Sequence, residues 1–122
     1  MDERYLTQEI ANFLDRIPLQ FRRRLENVAI VVEKKPGKNK LRSMGLDPQR
    51  HTLYGLYEGT PLPQRSATYP PLLPDKITIY LEPLKADFPN PDDLREQLRL
   101  TLIHEIAHYF GIDESEIRDL GY

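Results

Sequence analysis

Between Asn90 and Gly111 the chain carries one long helix signal, and this segment restricts the fold more than any other. Asn90 offers a capping side chain, Pro91 suits the first helical position, and Asp92 and Asp93 set negative charge at the positive end of the dipole. The spacing predicts a helix from Pro91 to about Phe110, closed by Gly111 in the left-handed conformation that commonly ends helices. Its second half is apolar nearly all round, through Leu98, Leu102, Ile103, Ile106, Ala107 and Phe110. Such a helix is buried, yet His104, Glu105 and His108 lie in it. A polar stripe inside a buried helix needs partners.

Successive helical residues step by about 100°, so His104 and His108 stand one turn apart on one face and both imidazoles can reach a single ion. Zinc takes neutral imidazole nitrogen, and a carboxylate can complete three protein ligands with one position left open. The chain has no cysteine, so thiolate ligands are excluded and any metal site is made of His, Asp and Glu. Glu105 projects to the other side of His108, toward the open position, where a general base would stand. For the third ligand, Gly111 can turn the chain back past the metal. Asp113 stands three residues before Glu116 as in an Asp variant of the capping box, so Glu114 is the freer carboxylate and Asp113 the alternative. His51 lies in an irregular segment and reads as an exposed loop residue. The competing reading of His104 and His108 is two packed histidines satisfied by hydrogen bonds.

The rest of the chain supplies a scaffold of ordinary kind. Apolar residues at helical spacing predict a helix over Tyr5–Ile17, and Leu19–Glu26 continues as a short helical turn with Arg22, Arg23 and Arg24 on its wet side. Val28–Val32 is a β-branched run expected to be covered on both faces, and Leu53–Tyr57 a second strand. Ile77–Leu81 alternates like a strand with one buried face, stopped by Pro83. Lys34–Arg50 and the Pro-rich Glu58–Asp75 read as loops, and a short last helix starts near Asp113. The sum is an α+β fold in one domain over residues 1–122: a sheet of three or four strands packed on an N-terminal helix, with the metal-bearing helix beneath.

Seventeen basic against nineteen acidic residues leave a net charge of -2, without the positive field by which a protein tracks phosphates. No apolar run approaches the ~20 residues of a membrane span, and the first residues lack a basic and apolar leader. A cytoplasmic protein with no membrane partner is expected, and nucleic acid is not the expected partner.

The run from His104 to Glu114, with Gly111 between, resembles the small bacterial family of minimal zincins, metallopeptidases whose motif is HExxHxxGxxD. The segments Tyr54–Leu62 and Ile77–Tyr80 are similar to that family's middle strands. Glu114 stands where the family has Asp, which keeps the ligating group and adds one methylene. Metzincins place a third His there and a methionine turn downstream, whereas Met1 and Met44 both lie upstream. The resemblance implies a zincin-like fold, a Zn2+ cofactor, and hydrolysis of a peptide or protein substrate. By the same resemblance that substrate pairs with an edge strand, for which Ile77–Leu81 is the candidate. Tyr80 and Tyr109 are candidate oxyanion donors, each with packing as its alternative role. Two other readings compete: a metal-dependent ribonuclease, against which Glu105 and the acidic charge argue, and a non-catalytic binding module of the same fold.

Overall fold

The computed structural model describes residues 2–59 and 75–121. In chain order the elements are α1 (Glu3–Asp15), α2 (Leu19–Arg22) with a 3-10 turn over Arg23–Leu25, β1 (Val28–Glu33), α3 (Lys38–Ser43), β2 (Gly55–Glu58), β3 (Asp75–Tyr80), α4 (Leu81–Asp87), α5 (Pro91–Tyr109) and α6 (Glu114–Asp119). The architecture is α+β as expected, with three strands among the described residues. No helix among them is long and apolar enough to cross a membrane.

The helix expected at Tyr5–Ile17 starts two residues earlier, because the Asp2 carboxylate accepts the Tyr5 N–H at 2.9 Å and caps it. Its Leu6 and Ile10 meet Ile77 and Ile79 of β3, Leu84 of α4, and Leu94, Leu98 and Leu102 of α5 in one core. Each such buried aliphatic side chain contributes roughly 1.5–3 kcal/mol before the entropy of ordering is counted.

The sheet runs β1-β3-β2, with β1 parallel and β2 antiparallel to β3. This order overturns the expectation that a peptide would pair along Ile77–Leu81. Strand β3 is central and bonded on both sides, so it has no free row of N–H and C=O groups, and Leu81 already belongs to α4. Among the described residues the outer strands are β1 and β2, and α5 packs across β2. Being central also gives β3 two covered faces instead of one: Thr78 is as buried as Ile77 and Ile79. Conversely β1 is only half-buried, although its apolar run suggested cover on both faces.

Two more differences have local causes. The Lys34–Arg50 segment holds a helix, α3, pinned by the single buried residue Leu41, which is too little for a helical period to show. Pro83 does not stop a strand but sits in the first turn of α4, where its missing N–H breaks no bond. Most of the Pro-rich loop, and Thr60, Pro61 and Leu62 of the family-like segment, fall outside the described residues.

Candidate metal centre

The C-terminal half of α5 and the turn behind it build the site. Asn90 accepts the N–H of Asp92 at 2.9 Å and of Asp93 at 3.4 Å, and Pro91 opens the helix, as its sequence indicates. At the far end Gly111 has φ +84°, a conformation that costs glycine little. The Ile112 N–H then donates back to the Ala107 carbonyl at 3.0 Å. The chain is reversed, and Asp113 caps α6 by accepting the Glu116 N–H at 2.8 Å. Glu114 is thereby the first residue of α6 and returns toward the histidines.

One oxygen of Glu114 lies 3.1 Å from Nε2 of His104 and 2.8 Å from Nε2 of His108. The two rings stand with centroids 4.8 Å apart. Glu105 meets the other ring nitrogen, its Oε1 lying 3.4 Å from Nδ1 of His108. Donor atoms of His104, Glu105 and His108 also fall within 4.8 Å of one another, so two candidate donor sets share the histidine pair. The Glu114 oxygen comes nearer its histidine nitrogens than the Glu105 oxygen does, and both nitrogens it meets are Nε2 atoms.

The carboxylates differ in surroundings. The Glu105 side chain is 7% exposed and that of Glu114 46%. Burial pushes the Glu105 carboxyl up, opposed by the positive potential of His108 and His104 and by a hydrogen bond from the Tyr57 N–H. Glu114 is held below the usual carboxylate range first of all by its hydrogen bond with His108.

The Tyr57 bond follows from the register of β2. Tyr80 donates its N–H to the Tyr54 carbonyl at 2.8 Å, so by the alternation of an antiparallel ladder Gly55 and Tyr57 direct their backbone groups away from β3. They face the side of β2 away from β3, and Glu105 lies there. Gly55 makes the approach possible: a Cβ on it would come within 2.7 Å of Thr101 Cγ2 and 3.3 Å of Glu105 Cγ. Neither the backbone donor nor the glycine was found from the sequence. The signal that was present is the lone Gly55 inside a strand pattern, which often marks a close backbone approach.

Other candidates lie elsewhere. Asp113 is occupied as the α6 cap, and the His51 Nδ1 accepts the Asp47 N–H at 3.1 Å in an exposed turn. The Tyr109 hydroxyl donates to the Arg24 carbonyl at 2.7 Å. Tyr80 is 2% exposed, and burial raises its pKa, with the carboxylates of Glu33 and Glu58 adding to the shift. Neither tyrosine lines the cavity of about 540 Å³ that opens over His104, Glu105, His108 and Glu114.

Two imidazoles one turn apart on a helix, a buried glutamate after the first, and a small sheet whose outer described strand, β2, packs on that helix together define a zincin-type site. The zincin-like metallopeptidase family matches residues 25–122, and the chain belongs to that family. No curated protein matches it.

Proposed function

We propose that the protein is a zinc-dependent peptidase, residues 1–122 acting as one domain, in which His104, His108 and Glu114 hold the metal and Glu105 is the general base. The observation that carries this reading is the convergence of both Nε2 atoms on one Glu114 oxygen, while Glu105 meets Nδ1 of His108 and lines the same cavity. A neutral imidazole has one N–H, but His108 faces carboxylate oxygens from both ring nitrogens. One of the two approaches needs either a second proton or a cation. If Nδ1–H is donated to Glu105, Nε2 is a bare lone pair aimed at Glu114, which is a ligand's posture. The donor set, two imidazoles and a carboxylate without thiolate, suits zinc. The Glu114 oxygen lies 3.1 and 2.8 Å from the two Nε2 atoms, so these three groups would be the ones to hold the ion.

Bound zinc supplies Lewis acidity, activating water and polarising a scissile carbonyl. The chain's own groups do the rest. Glu105, raised in pKa by burial, takes the proton of the attacking water at its carboxylate and passes it to the leaving amine. A peptide is seated in the cavity over these groups, and β3, bonded on both sides, is not the strand it extends.

The test pairs metal analysis with turnover. Protein purified without added metal should hold about one zinc per chain, cleave unstructured peptide, and lose cleavage on chelation. Glu105→Gln should keep the zinc and lose roughly 10²-fold or more in kcat. Metal-dependent RNA cleavage without peptide cleavage would replace this reading with the ribonuclease, and zinc binding without any turnover with the binding module.

A further inference from the structure

We infer that the cavity beside the histidines is a specificity pocket for one large apolar side chain of the substrate, next to the bond that is cut. The inference rests on the peptidase reading and adds a substrate class to it.

Four apolar side chains have no place in the core. Met44 follows α3, Leu53 and Leu56 belong to the approach and body of β2, and Leu100 lies on α5. All four line the cavity, and none packs against the core cluster. Leu100 is the most telling. Leu98 and Leu102 on the same helix are buried at 2% and 0%, whereas Leu100, one turn before His104, is only half-buried and turned to the site. Three separate segments thus bring exposed apolar surface to one place, of a size within the ~300–1,000 Å³ usual for ligand sites.

The charges narrow the occupant. Among the described residues the cavity is lined by His104, Glu105, His108 and Glu114 and by no lysine or arginine. An acidic substrate side chain would meet two carboxylates and no cation beyond the metal centre itself. A basic one would find both carboxylates engaged, Glu114 with the histidines and Glu105 with the Tyr57 N–H and His108. The polar pair at the near end is closed on itself, Gln97 donating to the Thr101 hydroxyl at 3.3 Å. An ion buried here gains no partner, while an apolar side chain loses only its contact with water.

The experiment measures binding, not turnover. Three peptidyl hydroxamates, identical except for a Gly, Leu or Asp side chain beside the zinc-binding group, are titrated by calorimetry into zinc-loaded protein. The Leu probe should bind about 10-fold or more tightly than the Gly probe, and the Asp probe more weakly than either. Leu100→Asp and Leu53→Asp, both at half-exposed positions and checked for an intact thermal melt, should each remove the Leu advantage. Both should leave the Gly probe within about twofold, since it reports the metal centre. Equal binding of the Leu and Gly probes, or a Leu advantage that survives both substitutions, overturns the pocket. Zinc-independent binding of the Leu probe with none of the Gly probe supports the pocket and removes the metal centre from the peptidase reading. No binding of any probe overturns both.

Discussion

Along its 19 residues α5 changes character between Leu100 and Thr101. In the first half the buried positions are leucines, Leu94 and Leu98, and the outer face carries local ion pairs, Arg95 with Asp92 and Arg99 with Glu96. In the second half Thr101 and Glu105 are buried at 7% and 5% beside Leu102 and Tyr109. The first half is stabilised by removing apolar surface from water, with exposed ion pairs adding little. The second half buries groups that burial alone disfavours. On the proposed function what keeps them is chemistry, so the two halves should respond to substitution in opposite senses.

The largest effect separates them directly. Leu98→Ala should cost ~2–5 kcal/mol, a transfer loss plus a cavity, and lower the denaturant midpoint with little change in slope. Glu105→Gln should leave metal-free stability unchanged or raised, because Gln keeps an acceptor for the Tyr57 N–H and removes a buried charge. A Glu105→Gln loss as large as that of Leu98→Ala would erase the contrast between the halves.

Next in size is the division between neighbours behind Gly111. Glu114→Ala should weaken zinc binding by more than the ~10–100-fold typical of an outer-shell partner, and excess zinc should restore part of the activity. Asp113→Ala should instead cost a helix cap, ~1 kcal/mol, with zinc affinity nearly kept. Competition with a chromophoric chelator reads both, and the opposite order would move the ligand to Asp113.

What the sequence revealed and what it hid follow the same line between local and long-range causes. The α5 limits, the Gly111 turn and the Asp113 cap depend on residues within a few positions and were legible. So was the meeting of His104, His108 and Glu114, since a helix turn and a reversal leave few alternatives. The order β1-β3-β2 was not, because pairing Val28 with Asp75 and Gly55 with Ile79 is decided across the chain. Ile77–Tyr80 shows β propensity whether it is central or at an edge. The error over the substrate strand came from that, and the Tyr57 N–H beside Glu105 was hidden for the same reason.

A smaller perturbation tests that hidden contact. Gly55→Ala introduces a methyl group 2.7 Å from Thr101 Cγ2, so either Thr101 turns or β2 moves off α5. We expect a loss of ~1–3 kcal/mol in stability together with lower kcat, while zinc content stays near one per chain. Unchanged kcat in a destabilised protein would show that the β2–α5 spacing positions nothing.

The smallest effect lies where β2 is tied to α4. The Tyr54 hydroxyl donates to Asp87 at 2.5 Å, and its ring meets Phe88 edge-on. That hydrogen bond first, then burial and the negative charge of Asp87, push the phenol from 10.0 up to about 12. The folded state therefore holds this proton more tightly than the unfolded chain does. The stabilisation is complete below the unfolded value of 10.0 and is lost as pH rises through about 12. Tyr54→Phe should lower stability at neutral pH by about 1 kcal/mol or less, the net worth of one hydrogen bond open to solvent. Above pH 12 the stability difference should vanish. Against the background of seven tyrosines, the difference between parent and variant in ultraviolet titration isolates one phenol. If that phenol ionises near 10, the Tyr54–Asp87 tie does not hold in solution, and the start of β2 is positioned by its ladder with β3 and by packing on Phe88.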